Sequence, residues 1–308
     1  MNESDSDNVR NLSGQAAKPA DDANRSQSGS ANSAARPRIA VAEALRNDWL
    51  EVWYQPKIDL KRKCLAGAEA LARVRHPEHG VLLPGDFLPD VDEGSIFELV
   101  QHALLATLLD WSMFDDAGFN LHLGLNVPVN ALFKLPVAGL VAEYRPKSDR
   151  WPGLVLEITE DQIVRDIGRA KAAAGELRAG GVTIAIDDFG AGYSSFSSLR
   201  DLPFAELKID RSFVTGCATD AAGAAICQTA IDLAHRFGSA ASASGIESQA
   251  DLQALMVMGC DFGQGALLAP PMPKQRFLEL LRQRMTRPRA VTPRDAMRAQ
   301  SGAADRVA

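Results

Sequence analysis

The 308-residue sequence contains no apolar run near the roughly 20 residues that cross a bilayer, which excludes a membrane-spanning helix as its organising element. Its N-terminus is polar and has no apolar secretory core, so the expected location is the cytoplasm. The four cysteines, Cys64, Cys217, Cys227 and Cys260, are scattered without paired metal-ligand spacing. That pattern argues against a thiolate zinc site or a disulfide framework and fits buried thiols in a reducing compartment. Histidine is scarce too. His76 and His79 fall in a Pro-Gly loop and His235 on a helical pattern, so no histidine receives a catalytic role. A net charge of −6 argues against a nucleic-acid polymer as partner. There is no internal repeat, and no glycine-rich strand-to-helix turn near the start to mark a dinucleotide-binding fingerprint.

Hydrophobic content of 46% and charge of 23% describe a globular chain. Residues 1–37 are rich in Ser, Asn, Asp, Ala and Gly, with Val9 and Leu12 the only branched aliphatics. Such a segment buries too little apolar surface to offset ordering entropy and reads as a disordered tail. Residues 285–308 read as a flexible basic tail, continuing a run of arginines that includes Arg287, Arg289, Arg294 and Arg298. Such a tail is solvated, or touches anionic lipid or a partner. Between the tails, residues 38–284 alternate short apolar runs with helical periodicity. Strands are predicted at 52–58, 66–74, 121–127, 154–159, 182–187, 205–209, 239–244 and 260–262. Helices are predicted at 96–114, 161–179, 221–237 and 249–258, with a last one after Pro273. Ser95 with Glu98, and Thr159 with Gln162, have the spacing of capping boxes. Eight strands interleaved with helices predict an α/β fold of the (β/α)8 TIM-barrel type, for which about 250 residues suffice. An open doubly wound sheet is the runner-up.

In such barrels the chemistry sits at the C-terminal ends of the strands. Those ends carry Glu69, Asn126, Glu157 with Glu160, Asp187 with Asp188, Lys208 with Asp210, Glu247 and Gln264. Side chains alternate along a strand, so Asp187 and Asp188 share one site only if the backbone turns there. Any one of these acids alone is better read as a cap or a surface charge. Gathered at one rim, carboxylate and amide oxygens are hard ligands suited to Mg²⁺ or Mn²⁺. With one lysine among them, the set fits phosphodiester hydrolysis, and it also fits enolase-like proton abstraction.

Glu69-Ala70-Leu71 with Arg73, Leu125-Asn126-Val127, Leu156-Glu157-Ile158-Thr159-Glu160, Asp187-Asp188-Phe189-Gly190 through Ser194-Ser195, Leu207-Lys208-Ile209-Asp210 and Gly263-Gln264-Gly265 stand in the order seen in EAL domains. Tyr54-Gln55-Pro56 is similar to that family's opening motif, and the resemblance covers about residues 38–284. It implies a modified barrel with one antiparallel strand, binding cyclic di-GMP and, in active members, hydrolysing it to pGpG with Mg²⁺ or Mn²⁺ at two sites. By motif, Glu69, Asn126, Glu157, Asp187 and Asp188 look like metal ligands. Lys208, Glu247 and Glu160 look like the catalytic group, Lys208 orienting the attacking water and Glu160 anchoring the glycine loop. Gln55 and Arg73 would grip the dinucleotide, with Asp210 and Gln264 in support. The loop after Asp188 is implied to make a homodimer.

One departure weighs against turnover. Where active members carry Glu-Gly-Val-Glu, this sequence has Ser244-Gly245-Ile246-Glu247. Ala266, Pro128 and Ala191 also depart from the usual residues. The sequence includes no synthase or sensory domain. The expectation is therefore a cyclic di-GMP-binding protein with reduced or absent hydrolysis, Ser244 having removed a site carboxylate. The alternatives are an active Mg²⁺- or Mn²⁺-dependent phosphodiesterase and a ligand-blind module acting on a protein partner.

Overall fold

Alternating burial is cleanest in β1 (Leu50–Asp59), where Leu50, Val52, Tyr54 and Pro56 turn to one side and Glu51, Trp53 and Gln55 to the other. The computed structural model describes residues 39–191 and 202–286. The two tail readings, and residues 192–201 of the loop on which a homodimer was expected, lie outside that set. β1 pairs antiparallel with the long β2 (Cys64–His76), which carries a short extension, β3 (Gly80–Leu82). From β2 the sheet continues in parallel through β4 (His122–Asn126), β5 (Leu154–Thr159), β6 (Val182–Phe189), β7 (Glu206–Ile209), β8 (Ala240–Ala243) and β9 (Phe262–Gly263). β9 then pairs antiparallel with β1 and closes the ring. β10 (Met272–Pro273) lies along the outer end of β1. The fold is thus a closed barrel of eight mixed strands with β1 reversed.

The predicted strands all form, and three helical details are corrected. The helix Glu93–Asp116 starts at an Asp92 cap, whose carboxylate accepts the Ser95 N–H at 3.0 Å, so Ser95 and Glu98 do not form the capping box. The single helix expected over 161–179 divides into Glu160–Arg165 and Ile167–Ala179. Asp166 breaks it by leaving helical geometry (φ −144°, ψ 59°) and capping the second piece through the Arg169 N–H. Thr159 makes no side-chain capping bond, and the Gln162 side chain accepts the Val129 N–H at 2.8 Å rather than closing a capping box.

The outer layer is closed by an aromatic cluster. Tyr54, Phe114 and Phe277 meet with ring centres 5.1–5.6 Å apart, and each is fully buried. Burial of each such side chain stabilises by about 1.5–3 kcal/mol. The Tyr54 hydroxyl donates to Asp110 at 2.8 Å, and Lys274 holds the other Asp110 oxygen at 2.7 Å. This ties β1, the helix Glu93–Asp116 and the C-terminal helix Lys274–Thr286 into one unit. With β1 fixed from outside, its inward side chains are presented rigidly to the barrel axis.

Candidate metal centre

Strand register places the inward-facing acids side by side. Glu69 on β2 stands level with Gly124 on β4, and Asn126 at the end of β4 stands level with Glu157 on β5. Gly124 supplies space, since a Cβ there would collide with the Glu157 carboxylate. One oxygen each from Glu69, Glu157 and Asp187 lies within 4.8 Å of the others, and all three residues are buried. Lys208 rises from β7 into their midst with no exposed surface. Its ammonium donates to Glu157, to Asp187 at 3.1 Å and to Glu69 at 3.4 Å. Asn126 donates to the second Glu69 oxygen at 2.6 Å, and Gln264, just beyond β9, donates to Glu69 at 3.3 Å. The Gln264 Oε1 is buried without a hydrogen-bond partner.

Consecutive aspartates reach the same region because the strand ends in a kink. The β6–β7 register shifts between Ile186 and Phe189, and Asp188 takes a left-handed φ of +53°, which few non-glycine residues adopt. Such strain persists only where surrounding contacts impose it. Glu160 contributes by accepting the Gly190 N–H at 3.0 Å. Gly190 is itself required, with φ +96° and the Phe213 ring 3.0 Å from where a Cβ would stand.

The electrostatics are unbalanced. Burial and then the neighbouring Glu69 push the Glu157 carboxyl up to about 8. Burial, followed by Asp187 and Asp210, does the same to Asp188, also to about 8. Burial likewise raises Asp187. Glu69 stays below the usual carboxylate value, because Lys208 and the Asn126 hydrogen bond outweigh the burial that would raise it. Lys208 is held well above the usual lysine value, burial being overcome by Asp187, Glu157 and Glu69. Four crowded carboxyls around one lysine resist ionising together in a desolvated site, and a divalent cation would favour their charged forms. The donors are all oxygen, which suits Mg²⁺ or Mn²⁺ better than zinc.

The remaining predicted residues surround this centre at varying distance. Asp210 is half-buried and caps the short helix Arg211–Val214 through the Ser212 N–H at 2.9 Å. Gln55 stands level with Glu69 and donates to the Ala269 carbonyl at 3.2 Å. Arg73 lies further up β2, buried, donating to the Ala72 carbonyl. Glu247 is not drawn into the cluster, because its exposed carboxylate pairs with Arg211 at 2.7 Å. Lys57 was not anticipated. Its ammonium lies 3.7 Å from Glu157 and 2.7 Å from Glu206, beneath the acidic cluster. Strand parity could have found it, since residues 55 and 57 of β1 share the inward face.

A barrel whose rim carries a buried all-oxygen acidic centre around a lysine defines a class of protein built to hold a divalent cation. The chain belongs to the EAL domain family, whose model matches residues 38–271. It is 36% identical over 244 residues to the bifunctional diguanylate cyclase/cyclic di-GMP phosphodiesterase MucR of Pseudomonas aeruginosa, covering 77% of this chain and 35% of MucR. It is 33% identical over 246 residues to the cyclic di-GMP phosphodiesterase RocR of the same organism, covering 79% of this chain and 63% of RocR. The chain therefore spans between about a third and just under two thirds of these two relatives. Among solved structures it resembles the MucR phosphodiesterase in complex with cyclic di-GMP, with TM-score 0.70, 32% identity and coverage of 77% of this chain and 97% of that one. It also resembles the EAL enzyme Bd1971 in a cGMP-bound form, with TM-score 0.71, 29% identity and coverage of 78% and 67%.

The site corrects the expectation drawn from Ser244. The acidic triad Glu69, Glu157 and Asp187 is complete, so the centre is not a serine-for-glutamate degeneration and has the donors for a divalent cation. Ser244 lies half-buried after β8, its N–H bonded to the Ile209 carbonyl at 3.2 Å, and is not a member of the triad. Nor do the smaller departures remove a ligand of the triad. Pro128 caps the helix Val129–Lys134, Ala191 donates its N–H to the Asp188 carbonyl, and Ala266 is exposed. Among the described residues no helix is long and apolar enough to cross a membrane.

Proposed function

We propose that the chain is an active Mg²⁺- or Mn²⁺-dependent phosphodiesterase that hydrolyses cyclic di-GMP to linear pGpG. The observation that carries this reading is the complete buried triad Glu69, Glu157 and Asp187 with Lys208 bonded to all three carboxylates. The names of the matched relatives agree with it.

In this reading Glu69, Asn126, Glu157 and Asp187 would hold one cation, and Asp187 with Asp188 would hold a second. When bound, Mg²⁺ or Mn²⁺ supplies Lewis-acid polarisation of the phosphate and acidification of a water. Lys208 keeps its proton, so it acts as a fixed donor that aligns the attacking water and not as a base. Gln264 keeps Glu69 aimed inward and offers its free Oε1 to the bound water or ion. Gln55 and Arg73 orient the dinucleotide above the centre, and Asp210 stiffens the turn after Lys208. Glu160 holds Gly190, and through it the turn that aims Asp188. Glu247 steadies this rim through Arg211 without touching the triad.

The test is production of pGpG from cyclic di-GMP by the purified chain with Mg²⁺ and with Mn²⁺, beside Glu69→Ala. Product from the unmodified chain and none from Glu69→Ala is the expected result. An unmodified chain that makes no pGpG with either ion overturns the reading.

A further inference from the structure

Resting on the reading above, we propose that Trp53 is a stacking platform for a purine base of the bound dinucleotide. On β1, Val52 and Tyr54 face outward into the core and are 8% and 0% exposed. Trp53 points the other way, on the face shared with Gln55, and it remains half-buried. An indole at such a position is not needed for packing the core. Its place relative to the metal centre follows from register. Gln55 stands level with Glu69, and Trp53 stands level with Leu71 on one side and with Pro273 of β10 on the other. Leu71, Trp53 and Pro273 therefore form an apolar row crossing three strands, one two-residue step above the Glu69 carboxylate. That step is about 7 Å along the strand. A base lies one sugar away from its phosphate, so a nucleotide whose phosphate reaches the triad brings its base to the level of this row.

The ring is also held ready. Its Nε1 donates to Glu51 at 2.9 Å, and Glu51 is itself gripped by Arg75 at 2.5 and 2.9 Å. Arg73 flanks the ring with its guanidinium carbon 5.8 Å from the ring centre, near the outer limit of a cation–π contact. Elsewhere on the molecule Arg169 sits 4.0 Å over the Phe133 ring and covers it. Among the described residues no cation lies as close over the Trp53 ring. Stacking of this kind accepts either purine face and leaves base identity to polar groups nearby, so Trp53 contributes affinity more than base selection.

Steady-state hydrolysis of cyclic di-GMP by the unmodified chain, Trp53→Leu and Trp53→Phe tests this. Loss of one base–aromatic stack raises KM by about tenfold in Trp53→Leu, and Trp53→Phe recovers most of that. A general structural defect would lower kcat and would not be rescued by Phe. A KM in Trp53→Leu within about twofold of the unmodified value overturns the stacking role while leaving the phosphodiesterase reading in place. Tryptophan emission gives an arm independent of the Leu variant. Titration of cyclic di-GMP with Ca²⁺ present is expected to quench emission in the unmodified chain and to lose that quench in Trp53→Phe. A quench that persists in Trp53→Phe also overturns the proposal. Absence of pGpG from the unmodified chain is a different failure, that of the phosphodiesterase reading itself.

Discussion

The two ends of the barrel handle buried charge in opposite ways. At the C-terminal rim, Glu69, Glu157, Asp187 and Asp188 crowd around Lys208, and two of the four carboxyls are pushed up to about 8. At the floor, Lys57 faces Glu206 at 2.7 and 2.9 Å, one charge against one. Burial would raise Glu206, but the Lys57 charge and hydrogen bonds hold it below the usual carboxylate value. Both ends are desolvated, so burial alone does not separate them. What separates them is stoichiometry. A matched ion pair is complete as it stands, whereas the rim gathers oxygen donors able to take a divalent cation. Glu157 joins the two regions, with Lys208 on one of its oxygens and Lys57 3.7 Å from the other.

Removing a rim ligand should have the largest effect. Glu69→Ala deletes a member of the triad and strands Asn126 and Gln264 without their acceptor. Metal-assisted polarisation supplies several kcal/mol, so hydrolysis is expected to fall by roughly 10³-fold or more. Chelation of the unmodified chain should match that loss in a pGpG assay, and restored Mn²⁺ should reverse it.

Breaking the floor should cost stability. Lys57→Met leaves Glu206 as an uncompensated buried acid and is expected to destabilise by about 3–5 kcal/mol. The double variant Lys57→Met with Glu206→Leu removes both charges and should recover most of the loss in a denaturant titration. If the double variant is as unstable as the single one, the floor is not a self-contained pair. The pH dependence has a defined sign. Because the folded value of Glu206 lies below the usual 4.5, its contribution is full above pH 4.5 and is lost as pH falls through the folded value. Thermal melts of Glu206→Gln and the unmodified chain should therefore converge in acid.

A smaller effect is expected from the support around the rim. Gln264→Leu removes the donor to Glu69 and the unpartnered Oε1, and outer support of this kind is worth about 10–100-fold in metal affinity. Calorimetric titration with Mn²⁺ would measure it directly.

The smallest effect is assigned to Ser244→Glu. With the triad intact, pGpG production should change by less than about threefold, well below the 10²-fold or more that a recovered acid–base group would bring. A rise of that larger size would mean that the serine limits the site after all.

Much of the site was legible because strand ends in a barrel converge. Asp187-Asp188 after Ile184-Ala185-Ile186 already required a backbone turn, and the left-handed Asp188 provides it. Lys57 escaped because it looks like an ordinary charge in a strand, and only parity with Gln55 hints at its direction. The break at Asp166 escaped because helical periodicity continues across it, while the carboxylate of Asp166 competes for the Arg169 N–H.

By itself the sequence determined the barrel, the order of its strands and the acid-rich rim, because apolar alternation and the spacing of polar strand ends are local properties of the chain. Only the tertiary structure decided which acids share a site. It set Lys208 among Glu69, Glu157 and Asp187, turned Glu247 out to Arg211, matched Lys57 to Glu206 and left Ser244 outside the triad. The physical reason is that charge balance in a desolvated interior depends on distances between residues far apart in the chain, and those distances exist only once the ring has closed.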